Sequence, residues 1–176
     1  MVNPAIRFPA LALMKSRFLL LSLLAASLLL GACNYDSPLT AKPTQPVNEK
    51  LLGDWVSVDK DTGKEESMHV RRLDDTNYVV AMDNDIYRVF HSDFAGIAFV
   101  SVQDLQVGRE DHKYAYFTWQ LSADGAQLTL HGVSVRVVPE DTKGRSAIQK
   151  LIKANATNPA LFTDAPVFHR PPAPKL

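Results

Sequence analysis

The chain has 176 residues, with 19 basic and 19 acidic side chains, a hydrophobic fraction of 46% and a single cysteine. That size and composition suit one packed domain. The balanced charge argues against the concentrated basic surface of a nucleic-acid binder, and one cysteine excludes an intrachain disulfide.

In chain order, residues 18–30 (FLLLSLLAASLLL) form an uncharged apolar run directly after Lys15 and Arg17. A membrane-spanning helix needs about 20 such residues. This run is shorter and ends in small residues, the layout of a secretory signal with basic, apolar and cleavage regions. Met14 is a compact alternative start, which makes residues 1–13 dispensable.

The run ends in Leu30-Gly31-Ala32-Cys33, which sets the only cysteine behind an aliphatic and two small residues. This stretch resembles the lipobox of bacterial lipoproteins. The resemblance implies that residues 1–32 are a signal peptide cut before Cys33. It further implies diacylglycerol on the Cys33 sulfur and an N-acyl group such as palmitate on the new amine, with lipoprotein-processing and sorting machinery as partners. Asn34 stands where an aspartate would favour inner-membrane retention in enterobacterial lipoproteins, so the resemblance implies the outer membrane, facing the periplasm. One acyl chain binds a bilayer only weakly, at ~0.8 kcal/mol per buried methylene, whereas two or three make release slow. The plainer readings are an ordinary signal with an incidental cysteine, or a buried core cysteine. Neither accounts for the sole cysteine falling where a lipobox requires one.

Removing residues 1–32 takes away Arg7, Lys15 and Arg17 and no acidic residue, leaving 16 basic against 19 acidic side chains, a net −3. Such a body is not drawn to anionic lipid by charge. Residues 33–48 then hold the lipidated cysteine and a linker with three prolines (NYDSPLTAKPTQPVN), read as a solvated leash with no site in it. In the polyproline form it would reach roughly 40–50 Å.

Residues 49–170 read as short strands separated by tight turns. Strands are predicted at 53–59, 67–73, 78–82, 86–91, 97–103, 113–121 and 127–131. Residues 134–138 continue the last of these or add another. Asp83-Asn84-Asp85 and Asp124-Gly125 are hairpin turns. Along 113–121, Ala115, Phe117, Trp119 and Leu121 share one face, while Tyr114, Tyr116, Thr118 and Gln120 share the other. The period then changes. Residues 145–156 place Ile148, Leu151, Ile152 and Asn155 at helical spacing, capped by Thr142 or Ser146. A short strand at 167–169 precedes the proline-rich tail, 171–176. The expected fold is mainly β: a small antiparallel barrel or sandwich of about eight strands with one C-terminal helix.

Gly53-Asp54-Trp55 resembles the G-x-W signature on the first strand of lipocalins and their calycin relatives. The resemblance implies that Trp55 closes the narrow end of a barrel beneath a late basic side chain, Arg136 or Arg170. The alternative is a core tryptophan on an edge strand.

The residues offer little for catalysis. His69, His91, His112, His131 and His169 lack metal-ligand spacing. Residues 59–63 and Asp83-Asn84-Asp85 start like calcium loops without completing one, and read as turns. There is no G-x-S-x-G and no phosphate-cradling glycine loop. Glu65-Glu66 and Asp74-Asp75 are adjacent, so on a strand they would point to opposite faces. The expectation is therefore a non-catalytic protein without a cofactor beyond the lipid on Cys33. It would be a binding module for a small apolar or peptidic ligand or, alternatively, an accessory subunit or inhibitor docked on an envelope complex through exposed tyrosines. A hydrolase would require a convergent histidine, carboxylate and hydroxyl.

Overall fold

A computed structural model describes residues 35–58, 62–105, 114–163 and 166–172. Leu30, Gly31, Ala32, Cys33 and Asn34, on which the lipobox reading rests, lie outside the described residues, as do Asp59, His112 and the last four residues of the tail.

Eight strands close into one antiparallel barrel: β1 (Gly53–Val58), β2 (Glu65–Arg72), β3 (Asn77–Met82), β4 (Asp85–His91), β5 (Phe99–Asp104), β6 (Tyr114–Leu121), β7 (Gln127–Gly132) and β8 (Val167–His169). Each pairs with its neighbours in sequence, and β8 returns to β1 with Val56 opposite His169. The sheet is thus a barrel and not a sandwich, and closure leaves no strand edge to recruit another chain. Turn chemistry sets the hairpins. Asp83 takes φ 53° where β3 turns into β4. At the foot of β4, Ala95 and Gly96 take φ 53° and 80° between the mutually hydrogen-bonded Phe94 and Ile97. Such positive-φ pairs match the right-handed twist of the flanking strands.

The register fixes which side chains point inward. Trp55 lies opposite Met68, Val70 opposite Val80, Val89 opposite Val102, Val100 opposite Phe117, and Leu128 opposite Phe168. These residues form the interior core with Tyr78, while Phe117 and Trp119 pack against it half-buried. The inward face expected for β6 is the observed one. The strand order also defines two ends. Gly53, Arg72, Asn77, His91, Phe99, Leu121, Gln127 and His169 mark the lower end, and Val58, Glu65, Met82, Asp85, Asp104 and Tyr114 the upper.

A second core lies outside the barrel wall. Phe99 and Tyr116, outward-facing on β5 and β6, pack with Val138, Ile148, Ile152 and Leu161 around the helix α1 (Arg145–Ala154). The sequence set the helix two residues longer, to 156. Residues 134–138 are a turn and not a strand: the Ser134 carbonyl accepts the amides of Val137 and Val138, and the Ser134 amide donates to Leu161. Pro139 ends the apolar run before any ladder can form.

The largest departure from expectation is the linker. Residues 35–48 are no solvated leash, because Tyr35, Leu39 and Val47 are buried, the first two in the second core and the last in the interior core. The segment is a strap. Tyr35 exchanges two backbone hydrogen bonds with Tyr114 at the upper end, each 3.0 Å. The Leu39 amide donates to Ser101 Oγ at 3.1 Å, and the Thr44 amide to the His91 carbonyl at 2.9 Å. At the lower end the Asn48 amide donates to the Tyr78 hydroxyl at 2.6 Å. The strap also takes the role expected of Thr142 or Ser146. The N-cap of α1 is Gly144, φ 79°, with no side-chain cap of its own. Its amide donates to both oxygens of Asp36, at 3.1 and 3.2 Å. A carboxylate is favoured at a helix N-terminus. The Ser37 hydroxyl, the Gly144 amide and the Lys143 charge hold the Asp36 carboxyl below the ordinary carboxylate range.

Candidate functional site

The lower end of the barrel is sealed by residues from both termini of the domain. Asn48 caps a 3₁₀ turn (Glu49–Leu51), its side chain accepting from Lys50. The turn delivers Leu51 and Leu52 beneath β1 with their carbonyls free to accept. The Leu51 carbonyl accepts from Trp55 Nε1 at 2.9 Å, so the fully buried indole keeps its one polar atom satisfied. From the end of β8, the Arg170 guanidinium lies 3.8 Å from the centre of the Trp55 ring. It donates to the carbonyls of Leu52, at 2.8 Å, and Lys50, at 2.7 Å. A planar guanidinium can stack on an aromatic face while its edge hydrogen-bonds, which an ammonium cannot do as well. Gly53 is required beneath it: φ is +124°, and any Cβ would collide with the Arg170 guanidinium. Of the two arginines foreseen, Arg170 thus covers Trp55. Arg136 lies in the turn after β7, its amide on Ser134 Oγ. The edge-strand alternative for Trp55 does not hold, since β1 is paired on both sides.

Above this plug sits a buried polar group that sequence reasoning missed. Tyr78 accepts from the Asn48 amide and meets His91 Nε2 at 3.1 Å. Trp119 stands edge-on to both rings, at 5.3 and 5.2 Å. His91 Nδ1 is buried without a hydrogen-bond partner among the described residues. Burial pushes the His91 pKa down, and the nearby Asp93 charge opposes the shift without cancelling it. No spacing in the sequence joins Tyr78 to His91; only the β3–β4 hairpin does.

Half-buried apolar side chains line the interior along its length: Met82, Tyr87 and Val102 toward the upper end, Phe117 at mid-barrel, and Trp119 and Leu121 lower on β6. Tyr87 donates to Asp85 at 3.3 Å and faces the buried Asp104 across the β4–β5 ladder. An apolar wall with a few polar groups at its rim is the usual make-up of a small-molecule site.

Among the described residues the other histidines do not meet. His69 and Arg71 bind Asp54 on the outer surface, at 2.8 and 2.5 Å, and their hydrogen bonds hold the Asp54 carboxyl below its ordinary range. His131 reaches only the Thr163 carbonyl, at 3.4 Å, and His169 is exposed. Among the described residues no cluster of three His, Cys, Asp or Glu is placed to hold a metal, and no helix is long and apolar enough to cross a membrane. Asp74 acts as a turn carboxylate: hydrogen bonds from the Asn77 side chain and from Thr76 bring its pKa down to about 2. The tyrosine pair foreseen as a docking surface is not exposed, because Tyr116 is buried under the strap and α1 and Tyr114 is half-buried.

No protein-family model matches the chain, and no curated protein or solved structure matches it significantly.

Proposed function

We propose that this chain is a lipid-anchored bacterial envelope protein of the outer membrane, facing the periplasm, whose barrel is a non-catalytic, lipocalin-like binding module for an apolar or peptidic ligand. The observation that carries the binding reading is the Arg170–Trp55 plug. It seals the lower end, while the upper interior keeps the half-buried apolar wall of Met82, Tyr87 and Val102. The anchor reading rests on Leu30-Gly31-Ala32-Cys33 and the apolar run before it.

Protein purified from its native envelope, extracted and analysed by mass spectrometry, should release one apolar species in near-stoichiometric amount. An empty barrel that also fails to take up a fluorescent fatty-acid analogue would rule the binding reading out. A second reading, an accessory subunit on an envelope complex, draws support from the filled lower interior, where Trp55, Tyr78, Leu128 and Phe168 leave a solid core. In-cell crosslinking that captures one stoichiometric protein partner, with no ligand extracted, would favour it.

A further inference from the structure

Six large hydrophobic side chains stand exposed on the described surface, and their placement is uneven. Val58 (56% exposed) ends β1 and Val167 (39%) begins β8. Continuing the Val56–His169 register places them side by side on the outer face at the top of the barrel. Ile86 (50%) begins β4, and Leu105 (47%) follows β5, its amide bonded to the Ile86 carbonyl at 3.1 Å. They too are cross-strand neighbours at the upper end. In the circular strand order the β8–β1 seam lies opposite the β4–β5 seam, so the two aliphatic pairs flank the mouth from opposite sides. Val135 follows β7, and only Leu73, at the foot of β2, belongs to the lower end.

The strap sets the height of the anchor. Tyr35 is bonded to Tyr114, the uppermost residue of β6, which lies opposite Gln103 on β5. Cys33 precedes Tyr35 by two residues, and two residues of extended chain span at most about 7 Å. An acyl group on Cys33 would therefore hold the upper end of β6, with the neighbouring start of α1, close to the bilayer.

We infer that the rim formed by Val58, Val167, Ile86 and Leu105 is a membrane-docking surface, which turns the mouth of the barrel toward the lipid and lets an apolar ligand pass between bilayer and interior without crossing water. The inference rests on the proposed acylation of Cys33. Aliphatic side chains seated at the headgroup boundary supply the contact, and the mature net charge of −3 supplies none.

The test uses the acylated mature chain in vesicles of phosphatidylethanolamine and phosphatidylglycerol containing brominated phosphatidylcholine. Acylation blocks Cys33, so a single introduced thiol can carry an environment-sensitive fluorophore. Labels at Ile86→Cys and Val58→Cys should lose roughly half or more of their emission to the brominated lipid, while a label at Leu73→Cys keeps its own. Amide exchange of the unsubstituted acylated chain should slow at residues 83–86 and 105 on moving from detergent to vesicles, with residues 73–77 unchanged. Equal quenching at both ends, or no protection at the rim, overturns the inference. Intact-mass analysis of native material separates the two claims: an unmodified Cys33 removes the anchor reading. The rim is then tested by coupling Cys33 of the unsubstituted chain to a maleimide lipid and repeating the exchange experiment. Protection at 83–86 sustains the docking surface, and its absence removes it.

Discussion

The ring of Tyr35 stacks on that of Tyr116, centroids 4.7 Å apart and planes 15° from parallel, and its hydroxyl donates to the Val138 carbonyl at 2.7 Å. The contact joins the strap to β6 and to the turn leading to α1. Tyr35→Ala should destabilise the domain by about 3–5 kcal/mol, the usual cost of deleting a buried aromatic ring. Tyr35→Phe should cost about 1–3 kcal/mol, because it leaves the Val138 carbonyl unpaired. Urea unfolding of both variants checks the order.

The same pair predicts alkaline unfolding. Burial raises the pKa of both phenols above their ordinary 10.0. The unfolded chain therefore releases these protons first, and stability present below pH 10 declines as the pH rises beyond it. A double Tyr35→Phe, Tyr116→Phe variant should be less stable at neutral pH but show a flatter decline above pH 10, read by circular dichroism across a pH series.

Arg170→Ala would leave the Leu52 and Lys50 carbonyls unpaired and uncover Trp55, at a cost of about 2–4 kcal/mol. Arg170→Lys should recover only part of this, since an ammonium cannot stack and fork together. Gly53→Ala should be as damaging as Arg170→Ala, by expelling the guanidinium. Tryptophan emission and the unfolding midpoint report both effects.

His91 predicts a loss of stability on acidification. Burial lowers its pKa below the ordinary 6.5. Below that pH the unfolded chain binds the proton more readily, so stability falls as pH drops through 6.5 and levels off once the folded protein is protonated too. Asp93 is the acidic group whose charge opposes the shift; Tyr78 and Trp119 are the rings against His91. His91→Asn should reduce the slope of unfolding free energy against pH in this window. An unchanged slope would assign the acid sensitivity to another group.

If the barrel binds an apolar ligand from above, Val102→Trp should fill the wall between Tyr87 and Phe117 and abolish uptake of a fluorescent fatty-acid analogue, with the fold intact by circular dichroism. Leu73→Trp, on the outside of the lower end, should leave uptake unchanged.

The barrel was legible because its signals are local. Alternation along 114–121 fixed the inner face of β6, and Asp83-Asn84 and Asp124-Gly125 carry turn chemistry in adjacent residues. Gly53 and Trp55 were legible as a pair, and their partner Arg170 was one of two candidates because only folding brings β8 back to β1. The strap was not legible. Pro38, Pro43 and Pro46 give it a linker's composition, and Tyr35, Leu39 and Val47 are too widely spaced to show a period. Its hydrogen bonds go to Ser101, Tyr114 and Gly144, far along the chain. The cap of α1 escaped for the same reason: Asp36 acts 108 positions upstream of Gly144. Residues 134–138 misled by their valines, which lie in a turn; Val137 and Val138 pack into the second core and Val135 stays exposed.

The strap and α1 also depend on one another in time. A ten-residue helix is marginal alone, and Tyr35 and Leu39, though they lie on β5 and β6, are fully covered only when that helix arrives. During synthesis the N-terminal end emerges first and must wait for the last fifth of the polypeptide. Until then the strap lacks part of its packing, and under the acylation proposed for Cys33 this is the interval in which the processing enzymes would reach it. Once the C-terminal segment is delivered, Asp36 caps the helix and the strap locks down.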